Sequence, residues 1–439
     1  MSSAVSSHTT ETGQTMYSLM ERLYPICRSI TGSGVAETLD IVGQHIPLEI
    51  HEIASGTPVF DWTVPKQWTI RDAFVKNSRG ERVIDFRAHN LHVVSYSCPV
   101  DTRLTLADLR PHLHSDPEHP DWIPYRTSYY SEDWGFCLAH SALQALPDDD
   151  YTVCIDSTLE DGKLIWGECL IPGATSDEIV ISTHICHPSL ANDNLSGIAV
   201  SIELAKSLLA ASGSYYSVRI LFIPGTIGSI VWLATNVERL QTIRHGLIAV
   251  NLGDTGHLHY KRSRRGHAEI DRVVEYVLHR RKDDCTVIDF SPYGYDERQF
   301  CSPGINLPFG CLSRTPYGQF PEYHTSADNM RFVRPEALAH SLDAYREIIQ
   351  VLNRNGRFQN LQPMCEPQLG KRGLYGSIGG RSDAKERQMA MLWVLNFSDG
   401  EHSLLDIAER AGIDFEVIAD AAETLTEHGL LARCSGSNA

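Results

Sequence analysis

The chain has 439 residues, enough for two or three domains, and with 42% hydrophobic and 21% charged residues it can bury an ordinary core. Its formal net charge of −17 excludes the broad basic face that nucleic acid or an anionic membrane would need. The 11 cysteines are odd in number and contain no CxxC pair, which points to reduced thiols and a cytoplasmic setting rather than a disulfide framework.

The opening stretch MSSAVSSHTTETGQT is polar and lacks an apolar signal core, and no apolar run of about 18 residues follows anywhere, so neither secretion nor membrane insertion is expected. Residues 16–31 carry Met16, Leu19, Met20, Leu23 and Ile26 at helical spacing, and a second helix is expected over 35–45. Residues 56–150 change texture. Short alternating segments (ERVIDF, NLHVVSYS), turn residues and many aromatics predict a β-rich module. From 151 onward the strand-like runs YTVCI, EIVIST, VRILFIP and LIAVNLG alternate with helical stretches, which predicts βαβ units and a mainly parallel sheet. Such a sheet presents its sites just beyond the carboxyl ends of its strands. Residues 353–384 read as a linker or arm. From 385 to 439, three helical stretches followed by LLARC give a winged-helix pattern. Its last helical stretch carries Asp414, Glu416, Asp420, Glu423 and Glu427, so contact with protein, or homo-oligomer formation, is expected there rather than duplex binding.

The chemistry concentrates in EIVISTHICHPSLANDNLSGIAV, residues 178–200. A buried strand ends in His184, His187 and Asp193 follow, and then a helix begins. Imidazole and carboxylate are the ligands of catalytic zinc. Read from these residues alone, the string is either a metal loop or a loop with two ordinary histidines and an N-capping Asp.

The string STHICHPSLANDNLSG resembles the metal loop of the M28-type zinc aminopeptidases. It is most similar to a bacterial branch that carries an aminopeptidase-like domain, an inserted β domain and a C-terminal winged helix. ICRSITGSGVAETL, SGTPVFDWTVPKQWTIRDA, YRTSYY, GYDERQFCSPGINLP and EYHTSADN follow the same branch in order, across nearly the whole chain. The resemblance implies a three-layer α/β/α zinc-peptidase core over 1–55 and 151–352, the β-rich insertion over 56–150, and Zn2+, one or two ions. His184 matches the first zinc ligand, Asp193 the bridging carboxylate, Asp254 the next carboxylate and His324 the last histidine. Cys186 stands where an Asp usually orients the first histidine, Asp296 matches an acidic residue of the pocket floor, and His187 is either a ligand or a substrate contact.

The departure lies in LFIPGTIGSI. The branch usually reads P-E-T-I-G-S-I here, so Gly225 occupies the place of the general-base Glu and Thr226 that of a metal ligand. Glycine accepts no proton. Three explanations remain open: an introduced inactivating substitution, another base such as Asp296 or Glu297, or loss of hydrolysis with retention of binding. The expected activity is hydrolysis of a small peptide or aminoacyl amide, tailoring such a conjugate in a biosynthetic pathway. The alternatives are a catalytically impaired binding module, or acyl transfer or cyclisation on the same fold. Arg126, Tyr130 and Arg298 are candidate substrate contacts, because arginine pairs with carboxylates bidentately. Each also has an ordinary reading as part of a solvated loop.

Overall fold

The structure is a computed structural model that describes residues 2–211, 213–281, 284–374 and 382–434. It forms two compact units, Met1–Arg346 and Glu347–Ala439, and the boundary falls within the helix Pro335–Arg354.

An eight-stranded sheet organises the first unit. In spatial order its strands are Glu49–Ala54, Lys163–Ile171, Ser217–Ile223, Glu178–His184, Ile243–Ala249, Phe309–Ser313, Leu258–Lys261 and Cys285–Ile288. The third to sixth of these run parallel, and antiparallel partners extend the sheet on both sides. Glu178–His184 and Ser217–Ile223 are buried along their whole length. Strands with both faces covered must be apolar throughout, and this is why they read as continuous runs in the sequence. Helices Gly197–Ala210, Ile227–Thr235 and Glu269–Arg281 pack against the sheet, and Tyr345 bonds the carbonyls of Ile248 and Leu312, giving the expected α/β/α layering.

A four-stranded antiparallel sheet, ordered Arg82–Asp85, Gln67–Lys76, Asp150–Glu160 and Val100–Thr105, builds the β-rich part. Asp150–Glu160 pairs within this smaller sheet, so the chain leaves it at Glu160 rather than at residue 150, where the composition changes. A short hairpin, Pro58–Val59 with Trp62–Thr63, packs on the helix Ile227–Thr235.

In the second unit, helices Ser382–Phe397, Leu404–Ala411 and Phe415–Glu427 accompany a three-stranded sheet of Asp399–Ser403, Arg357–Asn360 and Leu431–Arg433. Arg357–Asn360 lies in the stretch read as linker. It is short and polar, and only its pairing with the two later strands makes it a strand. Ser403 caps Leu404–Ala411 in a reciprocal capping box with Asp406. No described helix is long and apolar enough to cross a membrane.

Candidate metal centre

His184 is the last residue of its strand, and Gly225 and Asn251 follow the ends of the two neighbouring parallel strands. The carboxyl edge of the sheet therefore gathers the residues that the sequence pattern singled out. Nε2 of His184 lies 2.9 Å from Oδ1 of Asp193, both atoms are buried, and neither has a well-aligned hydrogen-bond partner. Nε2 of His324 lies 2.9 Å from the other oxygen, Oδ2, and Nε2 of His187 lies 3.7 Å from it. Burial alone would push the Asp193 carboxyl up, but the His187, His184 and His324 imidazoles hold it well below the usual carboxylate range. Burial pushes His187 well below the usual imidazole range, the direction that favours the uncharged ring a metal ligand needs.

This donor set fits a divalent ion of the zinc type. His184, His187 and Asp193 offer ligand atoms all within 4.8 Å of one another, and His324 approaches the same Asp193 carboxylate at 2.9 Å. Two close, buried polar atoms that do not bond each other well share an unfilled need, and a cation between them meets it.

A buried polar frame holds Asp193 in place. Asp328 accepts from the amides of Asn192 at 2.6 Å and Asp193 at 2.9 Å. Burial pushes its carboxyl up to about 8, against the pull of those donors. Asn194 donates to the hydroxyl of Thr183 and to the carbonyls of His184 and Ala249, tying the loop back to the sheet.

Asp254 does not join the cluster. Its Oδ1 accepts from Gly256 N and the Thr315 hydroxyl, and its Oδ2 from the Asn192 amide. Through Oδ2 it ties to Asn192 of the Asp193 loop, and through Oδ1 to Gly256 and Thr315, so in this structure Asp254 braces the loop that carries Asp193. Cys186 is also displaced from its expected role. Its Sγ lies 3.1 Å from Nδ1 of His187, not behind His184, and accepts from Gly225 N at 3.3 Å. Burial pushes this thiol up to about 12, which makes it a poor nucleophile.

Gly225 has ordinary backbone, and a Cβ there would meet only Cys186 Sγ at 3.4 Å and His184 Cβ at 3.7 Å. A side chain at this position would therefore fit beside the cluster. Thr226 next to it has φ 61° and ψ −74°, and Ile227 N donates to Gly225 O, which is a strained γ-turn at the mouth of the helix Ile227–Thr235. Thr226 N donates to Oδ1 of Asp296 at 2.7 Å, which brings Asp296 to the Gly225 side of the site. Burial raises the Asp296 carboxyl. Glu297 is buried and paired with Lys261, and is thereby occupied.

Tyr130 stands on the rim and Arg298 near the exposed Tyr293 ring, 5.9 Å from its centre. Arg126 is exposed and makes no side-chain bond at the cluster. Its neighbour Tyr125 is the buried one, with its ring 5.1 Å from those of both His187 and His324. Successive residues of an extended segment face opposite ways, so the inward residue is Tyr125. The sequence reading also missed Arg28, whose buried guanidinium donates to the carbonyl of His187 at 2.9 Å. A separate cavity of about 380 Å³, lined among others by Arg22, Cys27, Glu37 and Trp68, contains none of the cluster residues.

The fold and this histidine–carboxylate cluster define the class: the chain has the fold of the M28-type zinc aminopeptidases. A zinc aminopeptidase from Bacillus subtilis superposes with a TM-score of 0.57 at 12% identity, over 77% of this chain and 94% of that one. Within that class the chain belongs to the family described as a domain of unknown function, DUF4910, whose model matches residues 17–355, and a winged helix-turn-helix model matches 357–433. A Clostridium acetobutylicum protein named for polysaccharide biosynthesis and an aminopeptidase-like domain is 54% identical over 424 residues, 97% of each chain. A crystal structure of a candidate peptidase from the same organism superposes with a TM-score of 0.89 at 52% identity, covering 98% of both chains.

Proposed function

We propose that this chain is a zinc-dependent amide hydrolase of aminopeptidase type that trims a small peptide or amino-acid conjugate in a biosynthetic pathway. The observation that carries the reading is the buried, poorly bonded approach of His184 Nε2 to Asp193 Oδ1 at 2.9 Å, flanked by His187 and His324. The printed names of the relatives, zinc aminopeptidase and polysaccharide biosynthesis, support the reaction class and the setting.

A bound zinc ion would supply Lewis acidity toward an amide carbonyl and lower the pKa of a water. The protein's own residues supply the rest. His184, His187, Asp193 and His324 would hold the ion, while Cys186 and the Asp328 frame fix the His187 ring and the Asp193 carboxylate. Gly225 offers no proton acceptor. Asp296, raised by burial and held by Thr226 N, is the carboxyl on that side and takes the acid–base role at reduced efficiency.

The test is elemental analysis of the purified chain beside His184→Ala. One or two zinc ions per chain, lost in the variant, are expected. A chain that retains no zinc after loading and removal of excess metal would overturn the hydrolase reading.

A further inference from the structure

Among the described residues, the large aromatic side chains exposed to solvent are Phe60 (60%), Trp62 (39%), Tyr130 (47%) and Tyr293 (67%). Three of the four lie on two chains of contact that begin at the metal-site histidines. On one side, Tyr125 lies against His187 and His324, its hydroxyl meets that of Tyr129 at 2.9 Å, Tyr129 contacts Tyr130, and Tyr130 meets Trp62 edge-on at 5.2 Å. On the other, Tyr323 stacks on His324 at 3.9 Å, Tyr317 follows, and Tyr293 lies 5.5 Å beyond it. Phe60 sits in the two-residue loop of the hairpin that presents Trp62.

The backbone indicates that these rings are placed at a cost. Phe60 has φ 54° and Tyr130 has φ 67°, the left-handed region that bulky residues rarely adopt. In a two-residue hairpin loop that conformation normally selects Gly or Asn, yet a Phe stands there. Strained backbone that holds an exposed ring beside a site is a mark of ligand contact. Burial, then the neighbouring Cys186 and Asp296, push the Tyr130 phenol up, although the residue as a whole is half exposed.

We infer that this rim binds the saccharide part of the substrate, so that the amide presented to the histidines belongs to a neutral N-acylated amino sugar. The inference rests on the amide-hydrolase reading for the position of the amide, and on the rim for the class of ligand. A sugar ring offers flat C–H faces that lie on exposed aromatic rings, edged by hydroxyls that phenol groups can bond. The side chain of one aromatic amino acid would need a single closed slot. Here the rings open outward along two walls, which suits a ligand that continues away from the reacting bond. Arg298 lies over the Tyr293 ring, and Lys261, which reaches the Tyr293 carbonyl, is paired with Glu297, so the walls present neutral aromatic groups that suit a neutral ligand.

The probe is N,N′-diacetylchitobiose, a neutral disaccharide of N-acetylated amino sugars, with leucine amide as the aminoacyl comparison. Binding to the full chain is followed by ligand-observed NMR in the presence of zinc. The disaccharide is expected to bind, and Trp62→Ala and Tyr130→Ala are each expected to weaken it about tenfold, with Trp62→Phe largely restoring it. Both rings are exposed, so thermal denaturation of the variants should match that of the parent chain and separates lost contact from lost folding. Absence of disaccharide binding, or binding that neither alanine variant weakens, would overturn the saccharide assignment. If leucine amide alone is bound and cleaved, the hydrolase reading stands and this one falls. If the disaccharide binds through the rim and no amide is ever cleaved, the rim assignment stands and the hydrolase reading falls.

Discussion

Two single residues decide how the site behaves, and each makes a prediction. At Gly225 a Cβ would meet only ordinary van der Waals neighbours, Cys186 and His184. Gly225→Glu should raise the rate of aminoacyl-amide hydrolysis by roughly 10²–10⁴, the usual worth of a placed general base. Steady-state kinetics on the zinc-loaded pair of proteins measures this, and an unchanged rate would show that Asp296 or the substrate already supplies that proton transfer. Asp254 is held by hydrogen bonds on both oxygens. Asp254→Ala leaves the Asn192 amide and the Thr315 hydroxyl without their partner. It should cost about 1–3 kcal/mol of stability, read as a lower denaturation midpoint, while zinc stoichiometry is retained at saturating metal. Loss of the ion with unchanged stability would restore Asp254 as a ligand.

At the scale of elements, short pieces are held by side-chain caps, and one of these is a titratable group. His89 caps the 3-10 turn Asn90–His92, its Nδ1 accepting from Leu91 N at 3.1 Å. Burial, helped by neighbouring His92, lowers its pKa to about 4, below the ordinary value of 6.5. The folded chain thus resists a proton that the unfolded chain accepts. The stability contributed by neutral His89 is fully present above about pH 6.5 and is lost as pH falls toward 4. His89→Asn keeps a capping acceptor without titrating, so the fall in denaturation midpoint between pH 7 and pH 5 should be smaller in the variant. Equal falls would show that His89 carries none of it. The Ser403–Asp406 capping box rests on a local pattern of residue types three apart. A histidine cap does not, because its role depends on burial.

At the scale of the whole molecule, the winged-helix unit and the net charge point in opposite directions, and the prediction follows the charge. The helix Phe415–Glu427 presents Glu416, Asp420 and Glu423, and all three pair with the single guanidinium of Arg354. With a chain charge of −17, this surface repels phosphates. A duplex-binding assay in low salt, where electrostatic attraction is strongest, should show no retained complex. Binding that weakens steeply as salt rises would refute this and assign the unit to nucleic acid.

The strands that build the site were visible in the chain because both of their faces are covered, so burial wrote itself as unbroken apolar runs. The segment around His184, His187 and Asp193 was visible because metal chemistry restricts the residue types at close spacing. Winged-helix periodicity was visible for the same reason as any amphipathic helix: one face is buried. The remaining assignments needed the tertiary structure, because they depend on which way a side chain turns and on what arrives from far along the chain. Tyr125 rather than Arg126 faces the histidines because a segment from the β-rich part runs beside His324, bonded through Tyr125 N to the His324 carbonyl. The contacts of Asp254 with Thr315 and Asn192 likewise come from residues about 60 positions away. Arg357–Asn360 became a strand only when Leu431–Arg433 paired with it. Local pattern specifies the chemical types and the elements. Long-range packing selects which of those groups meet.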